Sequence, residues 1–210
     1  MKNILVIYYT QSGQLHEIAN QIAKPFLNDK AIDLTFHEIK LKKPFPFPWD
    51  NDSFFGAFPE SFLQIPSDLE PVPTEILEKK YDLILFHYQV WYLSPSIPIT
   101  SFLKSEEAKI LLDNTPTITI SGSRNMWIMA QEKVKTLLKH NNAQLKGNIA
   151  LVDRTGNLIS VITIVEWMFS GIKKKYLGIF PMPGVSEKDI EESDKFGAVI
   201  HQNLIKNNLD

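Results

Sequence analysis

The chain has 210 residues, of which 44% are hydrophobic and 22% charged, and 22 Lys+Arg against 24 Asp+Glu leave a formal net charge of −2. That length suits one domain with a sizeable core, the composition excludes a disordered or collagen-like chain, and the near-neutral balance argues against nucleic-acid binding as the main task. Cysteine is absent, which excludes disulfides, thiolate metal sites and cysteine nucleophiles together.

The opening Met1-Lys2-Asn3 and the short apolar run behind it are too brief for a signal peptide, and no apolar run approaches the ~18 residues of a membrane span. A cytoplasmic protein is the expectation. Ile4 to Tyr9 is continuously apolar, β-branched and aromatic, and predicts a strand buried on both faces. Beyond a Ser-Gly turn, Leu15, Ile18, Ala19, Ile22 and Phe26 recur at helical spacing and predict an amphipathic helix over 14–27. Ile32 to Ile39 alternates like a strand nearer a sheet edge, while Tyr81–Tyr88 and Thr115–Ser121 read as further buried strands. Met126–His140 predicts a helix, Asn148–Asp153 a last strand, and Ser186–Lys206 a closing helix with Ser186 as its N-cap. Strands alternating with helices predict an α/β fold: an open, doubly wound, five-stranded parallel sheet in a single domain, 1–210, with insertions at about 42–76 and 155–184.

Both insertions are unusual in composition. Residues 44–73 hold seven of the thirteen prolines and seven aromatic residues, and no Lys or Arg occurs from Pro44 to Glu78. So much aromatic area predicts an ordered excursion over the sheet edge rather than a linker. Residues 158–180 run apolar and then basic, ending in Lys173-Lys174-Lys175 before Tyr176. Three lysines beside Trp167, Met168 and Phe169 suit a solvated corner, or alternatively a membrane-surface or partner contact. The apolar content also suits a homodimer contact.

Ligands of open parallel sheets bind beyond the carboxyl ends of the strands, where three loops emerge. The first, Thr10-Gln11-Ser12-Gly13-Gln14-Leu15, combines two hydroxyls, a glycine and the free amides of a helix start, a donor set for a phosphate monoester. The competing reading makes Ser12 a simple N-cap. The second, Gln89-Val90-Trp91-Tyr92-Leu93, continues as Ser94-Pro95 and could present a flat aromatic face and backbone amides to a heterocycle, or pack beneath itself. The third, Gly122-Ser123-Arg124-Asn125, offers small residues for access and an arginine for charge, with Trp127 close behind. The histidines show no metal-ligand spacing, no Gly-x-Ser-x-Gly elbow occurs, and no metal is expected.

These residues carry a resemblance. Thr10-Gln-Ser-Gly resembles the phosphate loop of the flavodoxin-like superfamily, and Gln89-Val-Trp-Tyr the isoalloxazine loop of its quinone-reductase branch. Phe45-Pro-Phe-Pro-Trp49, Phe54 to Glu60, Trp91 to Ser96, Arg124 to Trp127 and Ala130-Gln-Glu132 resemble the dialkylresorcinol condensing enzymes within that superfamily, which accompany ketosynthases. The resemblance implies a flavodoxin-like fold and FMN held without a covalent bond. It places the FMN phosphate at residues 10–15 and the flavin ring between residues 89–93 and 122–125. It also implies an oxidative, ring-aromatising step on an apolar cyclic ketone walled by the two insertions, with Arg124 and Tyr92 as catalytic candidates and NAD(P)H as a candidate electron donor. Gln14 and Leu15 depart from the family's loop, which continues with a small polar residue and a second hydroxyl. Two further readings follow from that departure and from the fold: a flavin-free scaffold docking to a ketosynthase or carrier protein, and a generic NAD(P)H:quinone reductase.

Overall fold

In the computed structural model, which describes residues 1–209, the chain runs β1 (Lys2–Tyr8), α1 (Gln14–Leu27), β2 (Ile32–Glu38), α2 (Asn51–Leu63), α3 (Thr74–Leu77), β3 (Leu83–Trp91), β4 (Ser94–Pro95), α4 (Ile97–Leu103) and α5 (Glu106–Leu112). It continues through β5 (Pro116–Ser123), α6 (Ile128–His140), β6 (Gln144–Val152), α7 (Asn157–Ser170), a 3₁₀ turn (Tyr176–Gly178), α8 (Glu187–Glu191) and α9 (Asp194–Ile205). Five strands are parallel in the order β2-β1-β3-β5-β6, and the short β4 folds back antiparallel on β3. Val6 is in register with Phe36 on one side and Leu85 on the other, which makes β1 and β3 the buried centre.

Side chains alternate across a strand, so each central strand feeds two cores. Leu5, Ile7, Ile84 and Phe86 point to the layer built from α3, α4, α5 and α6. Ile4, Val6, Leu83 and Leu85 point to the layer of α1, α8 and α9. A strand apolar at every position is what this two-sided burial requires, and it explains why β1 and β3 are continuous runs rather than alternating ones. The order reverses between β1 and β3, so the chain segments leaving these two strands diverge and open a crevice at their carboxyl ends.

Several boundaries differ from the sequence expectation. β3 runs on to Trp91, β6 begins at Gln144, and α6 starts at Ile128. The closing helix is two helices, α8 and α9, with Ser186 accepting from the Asp189 amide as its N-cap residue. Helices α4 and α5 had no sequence counterpart, because α4 is buried at every position and shows no polar face to set a period. The proline-rich excursion contains α2, whose Asp50 accepts from the Ser53 amide and caps it.

Helix α1 packs on α9 at Gly197, where an added Cβ would sit 2.0 Å from the carbonyl oxygen of Ile22. Backbone cannot yield as a flexible side chain can. Gly197→Ala is expected to destabilise the fold by roughly 3 kcal/mol, at the upper end of overpacking costs, measured as a lowered urea midpoint; an unchanged midpoint would contradict this packing.

Candidate functional site

The turn leaving β1 is built around Gly13, whose φ of 87° lies in the left-handed region. Gly13 occupies the N-cap position of α1 and no side chain caps the helix, which settles the competing reading of Ser12: it is not a cap. The first amides of α1 therefore keep their donors free of side-chain acceptors. Space above Gly13 is open, since a Cβ there would meet nothing within 4 Å. Thr10 Oγ1 is buried and has no hydrogen-bond partner, a costly arrangement for a hydroxyl unless a ligand completes it.

The two glutamines of this turn are half-buried and bonded to other segments of the chain. Gln11 accepts from the Tyr9 hydroxyl and donates to the carbonyls of Phe45 and Pro46, at 3.3 and 2.8 Å. Gln14 accepts from the Val185 amide at 3.0 Å and donates to the Val185 carbonyl at 3.1 Å. Each thus ties the turn to one insertion. Leu15 is buried on the sheet and packs near Gly122, an apolar core position.

Residues 89–93 form a hairpin rather than the loop the sequence suggested. Val90 and Trp91 pair with Pro95 and Ser94, and the turn residues Tyr92 and Leu93 have φ of 48° and 62°. Two adjacent non-glycine residues in the left-handed region store strain on the order of 1 kcal/mol each, a feature that clusters at ligand sites. The Tyr92 hydroxyl donates to the carbonyl of Phe54 in α2, and burial pushes its phenol up to about 12. Tyr92 therefore offers its ring, not its hydroxyl, to a ligand. Gln89 Oε1 and Ser123 Oγ are buried without partners at the same edge.

Arg124 donates from Nε to Ser160 Oγ at 3.1 Å and from one terminal nitrogen to the carbonyl and Oδ1 of Asn157. Ser160 in turn donates to Asp153 at 2.6 Å, so the guanidinium meets its acid through a hydroxyl. Partial burial draws the guanidinium below its ordinary range, and Asp153 partly offsets that. Asn125 is exposed and lies outside the cavity.

These parts enclose one cavity of about 320 Å³ at the carboxyl edge of the sheet. Its floor and rim use Gln11, Ser12, Gln14, Leu15, residues 89–93 and residues 122–124, while Thr10 and Gly13 lie beside it. Trp49 and Phe54 from the first insertion form one wall, and Trp167 and Met168 of α7 form another. The Trp49 amide donates to the Met168 carbonyl at 2.9 Å, joining the two walls. Trp91 packs edge-on against Tyr9, Phe45 and Trp49 with centroids 5.2–6.0 Å apart. Ile18 of α1 also lines the cavity, which the sequence reading gave only as a core position because an apolar helix residue carries no chemical signal. Arg124 is the only charged side chain among the lining residues.

No protein-family model matches the chain, and no curated protein matches it. Solved structures do. A flavoprotein in complex with FMN from Lactobacillus acidophilus NCFM is 18% identical with a TM-score of 0.56, over 71% of this chain and 93% of that one. A WrbA-like flavodoxin protein from Agrobacterium tumefaciens is 12% identical with a TM-score of 0.51, over 98% of this chain and 99% of that one. Oxidised flavodoxin 1 from Bacillus cereus is 11% identical with a TM-score of 0.52, over 96% and 98% of the two chains. The chain has the flavodoxin-like fold.

The raised phenol of Tyr92 makes the site sensitive to alkali. A group that is neutral and better held in the folded state contributes stability below its unfolded pKa, here 10.0, and loses it as pH rises toward about 12. Tyr92→Phe is expected to cost ~1 kcal/mol at neutral pH through the orphaned Phe54 carbonyl. It should also flatten the alkaline decline, compared by urea denaturation across that window; an unchanged decline would contradict the assignment.

Proposed function

We propose that this chain binds FMN at the carboxyl edge of its sheet and uses it for hydride exchange with an apolar ring substrate. The observation that carries the reading is the turn at Thr10–Gln14: uncapped helix amides, an unpartnered buried hydroxyl on Thr10 and open space at Gly13, at the sheet's reversal point. Donors of this kind suit a dianionic monoester through the helix dipole and backbone, without a lysine. That the flavoprotein of Lactobacillus acidophilus shares this fold and holds FMN supports the choice of ligand.

The residues present fit that group. Thr10, Ser12 and the main chain of 11–15 would take the phosphate. The Gln89–Leu93 hairpin and the Gly122–Arg124 turn would bracket the ring, with the unpartnered Gln89 and Ser123 oxygens available to its polar edge. When bound, FMN supplies the hydride acceptor that the side chains lack. The walls of tryptophan, phenylalanine and aliphatic side chains exclude water and favour an alkylated substrate. Arg124 as the sole lining charge suits an acidic, delocalised substrate such as the enolate of a cyclic 1,3-dione. Loss of a hydride from one ring carbon and a proton from its neighbour would convert a cyclohexane-1,3-dione into a resorcinol, the step implied by the resemblance to dialkylresorcinol condensing enzymes. The two electrons taken up by the flavin in that step would pass on to an external electron acceptor, and NAD(P)H would serve as electron donor only if the site ran a reduction instead, as a quinone reductase does.

The test is fluorescence titration. FMN emission should be quenched saturably, riboflavin should bind at least about tenfold more weakly because it lacks the phosphate, and Ser12→Asp should weaken FMN by about tenfold or more through charge repulsion. Equal affinity for FMN and riboflavin, or no quenching by the parent protein, would overturn the reading.

A further inference from the structure

Helix α7 carries little polarity for a surface helix: Asn157 opens it, Ser160 and Thr163 are buried, and Glu166, one turn beyond Ile162, is its single charge. Its buried stripe is Ser160, Thr163 and Trp167, and its large aliphatic residues look elsewhere. Val161, Ile164 and Val165 line the cavity. Leu158 and Ile162, a turn apart, face solvent, and Leu158 is 82% exposed. A helix this apolar, with one carboxylate, suits a boundary with lipid or a partner better than bulk water.

The chain beyond α7 adds a second exposed apolar group. Ile172, Leu177 and Ile179 are exposed, the last at 80%. Lys173, Lys174 and Lys175 lie among them, with Lys173 Nζ 5.8 Å from the Trp167 ring centroid. From Trp167 to Ser186 the sequence contains no Asp or Glu. Exposed aliphatic side chains interleaved with lysines and free of acids are the composition that seats a segment in the headgroup region of an anionic bilayer. No helix of the described residues is long and apolar enough to cross a membrane, which leaves attachment along the surface.

We propose that α7 and residues 172–179 dock this protein on an anionic bilayer, with the lysines against the headgroups and the aliphatic side chains in the interface. Val161 and Val165 are both exposed and cavity-lining, so the docked face includes the cavity's edge. An apolar substrate could then pass from lipid to cavity without crossing water, a consequence that rests on the cavity being the substrate site, whereas the docking does not. A second copy is the competing occupant, since Asp50, Asp52 and Glu60 at the opposite side of the cavity could meet the lysines of another chain.

Co-sedimentation of the full chain with vesicles tests this. Binding should be strong with phosphatidylglycerol in phosphatidylcholine, weak with phosphatidylcholine alone, and reduced by salt. Lys174→Gln with Lys175→Gln should lower partitioning roughly 25-fold, at about fivefold per lysine. Ile172→Ser with Ile179→Ser should lower binding to the anionic vesicles. Both double variants lie outside the cavity and should retain the circular dichroism and the FMN quenching of the parent. A parent that stays in the supernatant with both vesicle types would overturn the proposal, as would sedimentation equilibrium showing a dimer that the same substitutions dissociate. Vesicle binding by a parent that does not quench FMN would uphold docking and remove the flavin reading instead.

Discussion

Everything at the carboxyl edge depends on a turn that ends β1 in the left-handed conformation of Gly13 and starts α1 without a capping side chain. A capped helix would have its first donors satisfied internally. Here no side chain takes them, the space at Gly13 is open, and the hydroxyl of Thr10 in the same turn is buried with nothing to bond. The two glutamines of the turn, Gln11 and Gln14, line the cavity with their side-chain amides already bonded to other segments. One holds the backbone at Phe45 and Pro46 and the other the backbone at Val185. The turn and both walls of the cavity are thereby one hydrogen-bonded unit, which would preorganise a ligand site at little entropic cost on binding.

The two positions at which this turn departs from the phosphate loop that its sequence resembles take on a physical meaning in that light. Gln14 replaces a small polar residue and becomes a two-point latch across the chain, and Leu15 replaces a hydroxyl and becomes part of the sheet-facing core. What is lost is one side-chain donor, ~1 kcal/mol; what is gained is a fixed position for the segment that follows α7. Apolar residues outside the core follow the same division of labour. Helix α7 serves core, cavity and surface with three different stripes, so its aliphatic content reflects three contacts and not one.

Much of this was legible in the residues. The continuous apolar runs of β1 and β3, the spacing of Leu15 to Phe26, and Ser186 ahead of Asp189 each report a local cause that the fold preserves. The Ser-Gly turn was readable for the same reason, and so was the aromatic and apolar character of 44–73 and 158–180, as composition out of keeping with a plain sheet. The Tyr92-Leu93 hairpin was not, because tight two-residue hairpins ordinarily announce themselves with Asn-Gly or a glycine pair, and here bulky residues are held in the left-handed region by their surroundings. Helix α4 hid because total burial erases periodicity. The glutamine latches hid because Gln14 and Val185 are 171 residues apart, and a side-chain-to-backbone bond at that separation leaves no pattern in either segment. Ser160 as the bridge between Arg124 and Asp153 belongs to the same class.

The central claim is that main-chain donors of the first turn grip an anion. Amide-resolved NMR on the labelled protein during addition of FMN addresses it directly. The account predicts that the largest shifts fall on the amides of Ser12 to His16, with smaller ones at Gln89–Leu93 and Gly122–Arg124. Shifts confined to other parts of the molecule, with the first-turn amides unmoved, would contradict it.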